Sequence, residues 1–533
     1  GLALHTDLRF GEANDAFQRA FDLWQAPPPC ASPAATLRIA TNRMPAEPDP
    51  PRSYNLPDIQ LQMALFDRLV ERWPEATIVP SLAERWEVSA DGLRYLFHLR
   101  DGLQWSDGTP LTAHDVEYGI KRVLDPERPG ISVSIFYVLE HAQDYALGRS
   151  SDSDRIGVRA LDDRTVEFRL VAPAPYFLSV VNRPDGGPQP RHAIERHGDA
   201  WLEPERGVVS GAFGQAERSK ERLVLERRPD AERPGNVARV EIQRTEADEA
   251  VRRYRHDEVD VAVIVPTSRM RELEETAAPD RQMGPPALTL YLAFDHTHPL
   301  AGNRDLRRAL ALGLDRDALQ AALPADLVSA TGGVVPPALQ GHTPDIAPRF
   351  DPDRAREHLR RSGARERLVL ARTTGTVLDD ALELALASWS RVLGDVVETA
   401  FLAPAEWLNL PTPWDIGQLA VFPWFPGYPD PEYFLRLLLH SDSTDNQGRW
   451  SHLPFDELVE SARHEPDART RLELFHEADR MAVAEEVAVI PLVYGRSVFY
   501  VKPWVRGWWE FGKSWSSFAD LDVTTDSPRH GGS

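Results

Sequence analysis

Cysteine is almost missing from this chain. Cys30 is the one thiol in 533 residues, so no intrachain disulfide can form. Many exported bacterial proteins lack disulfides, so this leaves the compartment open. Lysine is scarce as well: Lys121, Lys220, Lys502 and Lys513 are the whole set, and arginine supplies the other basic residues. With 82 acidic residues against 60 basic ones, the net charge is −22. A nucleic-acid partner needs a basic face to meet phosphates, so that partner class is excluded for this chain. The charge reads as solubility. No apolar run approaches the ~20 residues of a membrane span. No secretory leader is visible at the start, and Cys30 follows Ala26-Pro27-Pro28-Pro29, which is not a lipobox. The first residue is Gly1, which reads as a processed form or a fragment.

The signatures of catalysis are missing too. There is no GxSxG, no HExxH, no P-loop, no Gly-rich dinucleotide turn and no Cys-His cluster. The expectation is a protein that is not an enzyme, with no cofactor and no metal. His296 and His298 (Asp295-His296-Thr297-His298-Pro299) fall in a predicted loop without a further ligand nearby.

What is present is an ordinary globular composition, 42% hydrophobic and 27% charged, on a chain long enough for two or three domains. The most informative stretch is Leu82–Pro126. Asp91-Gly92 between alternating runs predicts a hairpin with a type I′ turn. Asp107-Gly108 predicts a second turn. Thr112 followed by Asp115 predicts a helix N-terminus, with Val116, Ile120, Val123 and Leu124 on one face.

The string Trp105-Ser106-Asp107-Gly108-Thr109-Pro110-Leu111-Thr112-Ala113-His114-Asp115-Val116 closely resembles the signature of the bacterial family 5 extracellular solute-binding proteins, the peptide, nickel and oligosaccharide receptors of ABC importers. Pro173-Ala174-Pro175-Tyr176-Phe177, Glu258-Val259-Asp260-Val261-Ala262 and the helical stretch Asn303–Leu319 resemble further family steps, and the resemblance runs from about Thr36 to Asp522. It implies an α/β, periplasmic-binding-protein-like fold (type II, cluster C), two-lobed with an extra small domain. It also implies a discontinuous domain I (35–50, 156–265 and 488–525), a small domain II (51–155) and a domain III forming the second lobe (266–487). Residues 4–25 read as one helix outside that pattern, and 25–33 as a stiff Pro-rich linker, so 1–34 stand apart. The helix resembles the last helix of an upstream tetratricopeptide-type domain or is a decoration. Leu56–Arg72 reads as a single helix.

The resemblance places a ligand-pocket wall at Val421–Pro431 (VFPWFPGYPDP), with Phe422, Trp424 and Tyr428 as aromatics. An indole offers a flat apolar face and one donor. Gly427 falls where peptide receptors of the family carry the Asp that pairs with a free α-amino group. Its loss removes a charge-assisted bond of about 1.5–3 kcal/mol, which favours a neutral or longer ligand. Tyr428-Pro429-Asp430-Pro431 also reads as a rigid turn that caps the next helix, with Asp430 an anchor only if the loop shifts. Arg43, Tyr54 and Asn55 fall where the first strand's loop approaches ligand, and Phe136 and Tyr137 where an aromatic wall is often added. Each of these has a packing alternative.

The expected function is therefore a solute receptor of an ABC importer, closing by a hinge on a peptide or other small solute in the inter-lobe cleft. It would be a monomer, extracellular or periplasmic and membrane-associated, with an ABC permease as partner. The alternative is a ligand-sensing domain of a cytoplasmic transcriptional regulator.

Overall fold

The alternation across residues 83–99 becomes an antiparallel pair, Ala83–Val88 with Arg94–Leu99, extended by Thr165–Arg169 and Val158–Ala160 into a four-stranded sheet. The computed structural model describes residues 1–53, 55–72, 78–263, 280–323, 327–373, 378–403, 412–496, 498–511 and 514–524. The turn differs from the expected type I′. Gly92 alone takes positive φ (70°), its N–H donates to Ser89 O, and Ser89 N pairs with Arg94 O, giving a wider loop. Asp91 escapes the left-handed region because its carboxylate accepts from Leu93 N and the Ser89 hydroxyl, which fixes the loop from inside.

The signature string is scaffold. Trp105 is 1% exposed and its indole N–H donates to Asp115, whose carboxylate also accepts from Thr112 N at 2.9 Å. That fixes the start of helix Ala113–Val123, which buries Val116, Ile120 and Val123. Ser106 exchanges bonds with Val209, and Asp107 bonds His192, so the turn ties two distant stretches to the helix.

The described residues divide into two compact units. The first takes those within Gly1–Ile264, Ala278–Gln282 and Phe499–Ser533; the second takes those within Met283–Val498. Besides the four-stranded sheet, the first unit carries a seven-stranded sheet. Its middle runs Val261–Val263, Ala35–Thr41, Val237–Arg244, Arg222–Arg227, with Ala35–Thr41 parallel to both neighbours. Asp260, 1% exposed, pins it by accepting from Arg38 N and the Trp504 indole.

The second unit is built on a six-stranded sheet in the order Leu327–Ser329, Val489–Gly495, Leu288–Phe294, Leu419–Trp424, Leu368–Thr373, Val397–Leu402. Leu292, Phe294, Leu370 and Leu419 pack against Leu306, Leu310 and Trp389 of the helices on one face.

Three expected helices are cut differently. Leu56–Arg72 stops at Leu65; Phe66 is extended and Val70–Arg72 becomes a strand paired with Ile78–Pro80. The chain is diverted because Gly211 packs backbone to backbone on Ala64 and Leu65, where a Cβ would stand 2.6 Å from their atoms. Asn303–Leu319 is two helices, Arg304–Leu312 and Arg316–Ala322, since Gly313 closes the first and the Asp315 side chain caps the second. Residues 4–25 give α1 (Leu2–Thr6) and α2 (Phe10–Phe21), broken at Leu8 with φ of 61°.

Candidate functional site

Strand Leu419–Trp424 alternates. Leu419 goes into the core with Val421 packed against it, which sends Phe422 and Trp424 to the opposite face. There Phe422 pairs across the ladder with Tyr291, their rings 6.0 Å apart, and Trp414 comes edge-on to Phe422 at 6.2 Å. Trp424 is half-buried. Its indole N–H is spent on the Tyr433 carbonyl at 3.2 Å, and its ring lies 5.5 Å from the Tyr433 ring, which takes Tyr428 edge-on at 4.8 Å. With its donor used internally, Trp424 has only apolar surface to offer a solute.

Gly427 is half-buried in the same segment and brings no charge. The next carboxylate, Asp430, is 5% exposed and is gripped by Arg471 through two bonds of 2.9 and 2.8 Å, while it also accepts from Glu432 N. Glu432 in turn pairs with Arg463 at 3.1 Å. The acidic groups of this segment are thus held by arginines of the two following helices, Leu453–His464 and Ala468–Arg480.

In the first unit, Arg43 donates to Asn55 at 3.2 Å, and both are exposed. Their loop is held by Asp58, 3% exposed, which accepts from Ala46 N, Glu47 N and the Ser53 hydroxyl. Tyr54 lies outside the described residues. Phe136 and Tyr137 sit on the 3-10 turn Val133–Val138 and are buried, at 0% and 4% exposure. The structure therefore brings Phe422, Trp424, Gly427 and Tyr428 together on one segment and Arg43 with Asn55 on another, and it sets Phe136 and Tyr137 in the interior. Sequence reasoning did not find Tyr291, Trp414, Tyr433 or Arg471. Tyr291 acts through cross-strand register, Arg471 through a bond between residues 41 apart in sequence, and Trp414 and Tyr433 through ring contacts beyond the strand's own period, none of which leaves a local pattern.

The two loop histidines are occupied by backbone. His296 Nε2 donates to Ala488 O, and burial pushes its pKa down to about 3; His298 Nδ1 accepts from Leu300 N. Among the described residues no three His, Cys, Asp or Glu side chains are grouped as metal ligands.

Comparison with known proteins identifies the scaffold. The family model for bacterial extracellular solute-binding proteins, family 5 middle, matches residues 77–446. The probable deoxycholate-binding periplasmic protein YgiS of Escherichia coli (strain K12) is 29% identical over 510 residues, covering 92% of this chain and 94% of the relative. The periplasmic oligopeptide-binding protein OppA of Salmonella typhimurium (strain LT2) is 30% identical over 492 residues, covering 86% and 87%. Among solved structures, the periplasmic oligopeptide-binding protein OppAIV of Borrelia burgdorferi superposes with a TM-score of 0.81 at 22% identity, covering 92% of this chain and 99% of that one. The α/β, periplasmic-binding-protein-like fold expected from the sequence is the fold observed.

Proposed function

Because this chain belongs to the bacterial extracellular solute-binding proteins, family 5, we propose that it is the receptor of an ABC importer for solutes that carry no free ammonium group: N-blocked peptides or other amphipathic molecules. One observation carries the choice of solute. The Phe422–Tyr428 wall is aromatic, and the carboxylate it could have used, Asp430, is already neutralised by Arg471. A protonated amine buried against that segment would find its nearest carboxylate, Asp430, already paired, and an unpaired buried charge is costly. The relatives span both kinds of ligand, one named for oligopeptides and one for deoxycholate, which has no amine.

In this reading Trp424 and Phe422 supply dispersion and apolar area, and Tyr428 and Gly427 shape the wall; Arg43 and Asn55 of the first unit are proposed separately as polar contact residues. Phe136 and Tyr137 support their own unit from within. The protein binds rather than transforms its solute, works as a monomer beyond the cytoplasmic membrane and hands the solute to a permease. Domain I (35–50, 156–265, 488–525), domain II (51–155) and domain III (266–487) remain our division of the chain. The regulator alternative finds no support in the relatives named above.

The test is native mass spectrometry of the chain purified from its own cells, with the co-purified solute released and identified. A neutral, N-blocked or carboxylate-only molecule supports the reading; a peptide with a free N-terminus overturns it.

A further inference from the structure

Residues 2–21 lie outside the family pattern, yet they are built into the first unit. Phe10, Ala13 and Phe17 of α2 are buried. Phe17 and Phe21 stand 5.2 and 4.5 Å from the ring of Trp86, and the Phe10 ring sits where a side chain at Gly92 would be, 2.4 Å from an added Cβ. Asn14 accepts from Val88 N and Gln18 donates to Trp86 O, so α2 is bonded along the strand Ala83–Val88.

The contact has a polar centre, His5 of α1, which is 0% exposed. Nδ1 lies 3.1 Å from the Pro175 carbonyl and Nε2 lies 2.7 Å from the Tyr95 hydroxyl. A carbonyl only accepts, so Nδ1 carries the proton and Nε2 of the neutral ring accepts from Tyr95. Around it α2 contributes the rings of Phe10 and Phe17, and the sheet contributes Tyr95 as its titratable group.

We propose that α1 and α2 form a detachable cover on the four-stranded sheet, latched by the uncharged imidazole of His5, which comes away when His5 takes up a second proton and exposes the aromatic face around Trp86 and Tyr95. A second proton would turn Nε2 from acceptor to donor and place a cation in a dry site whose described neighbours are aromatic rings, a hydroxyl and a carbonyl. Burial accordingly pushes the His5 pKa down to about 4, whereas the uncovered imidazole regains its ordinary value of 6.5. The covered form thus binds fewer protons. The latch is at full strength above about pH 6.5, weakens as pH falls, and has lost roughly two orders of magnitude in its equilibrium by about pH 4.

Amide hydrogen exchange read by mass spectrometry, with labelling times scaled to the intrinsic rate at each pH, tests this on the intact chain. Protection of residues 2–21 should fall roughly sixtyfold between pH 7 and pH 4.5 while strand Val237–Arg244 keeps its own, and His5→Gln should flatten that dependence. Loss of both regions together, or the same pH profile in His5→Gln, would overturn the proposal. Should His5→Gln fail to hold the cover at any pH, exchange at the imidazole C2 of the unmodified protein decides. Titration of His5 near pH 4 supports the latch, and titration near 6.5 refutes it.

Discussion

Arg471 holds Asp430 with two guanidinium nitrogens at 2.9 and 2.8 Å, and neither side chain is more than 7% exposed. The pair joins the aromatic segment to helix Ala468–Arg480 and takes the segment's nearest carboxylate out of contention for a ligand. Removing one partner leaves a buried charge alone. Arg471→Met should therefore lower stability by about 3–5 kcal/mol, and adding Asp430→Asn should recover part of that loss. Urea unfolding followed by tryptophan fluorescence measures both. A loss under about 1 kcal/mol would mean the pair is idle.

Trp424 presents ring surface and no free donor, so Trp424→Ala should weaken solute binding about tenfold, or 1.4 kcal/mol, with little change in fold. Calorimetric titration beside a far-ultraviolet spectrum checks it. Unchanged affinity would remove Trp424 from the wall.

Gly427→Asp tests the missing charge directly. It adds a carboxylate to a half-buried position whose other acid is already paired. The variant should gain affinity for peptides with a free N-terminus, and the gain should vanish on N-acetylation. Equal gains for both peptide forms would show that the new carboxylate does not meet the amine.

Asp479 is fully buried, accepts from Val334 N at 2.9 Å, and lies so close to Gly333 that a Cβ there would stand 1.7 Å from it. Burial raises its pKa to about 7. The folded form then binds more protons than the unfolded form. The stability Asp479 contributes is fully present below pH 3.8, is lost as pH rises through about 7, and stays lost above. Asp479→Asn keeps an acceptor for Val334 and cannot ionise. Its melting temperature relative to the parent should climb between pH 4 and pH 8. A constant offset across that range would contradict the titration.

Local pattern carried much of this fold. The strand alternation after Asp91-Gly92 and the Thr112–Asp115 helix start both depend on neighbours within a few residues, and both appear in the structure. What local pattern could not carry is where chain meets chain. Gly211 pressing on Leu65 ends a helix that the periodicity would continue, and the break at Gly313–Asp315 was written in two capping residues whose weight against an apolar period is plain only once the helices are seen. The site divides in the same way. Phe422 and Trp424 stand out as aromatics on one strand face, but Tyr433 and Arg471, which fix how Trp424 and Asp430 are used, act through contacts that the sequence does not announce. His5 and Tyr95, 90 residues apart, are a further case.

A solute without a free ammonium group is what we propose this chain binds. The most direct test is the thermal unfolding of the intact chain with one peptide library in two forms, free and N-acetylated, and with deoxycholate beside them. A ligand well above its Kd raises the melting temperature by mass action. A rise is expected with acetylated peptides or with deoxycholate, and little with the free forms. A rise with free peptides that disappears on acetylation would contradict it and would mean that a carboxylate of this chain meets the amine after all.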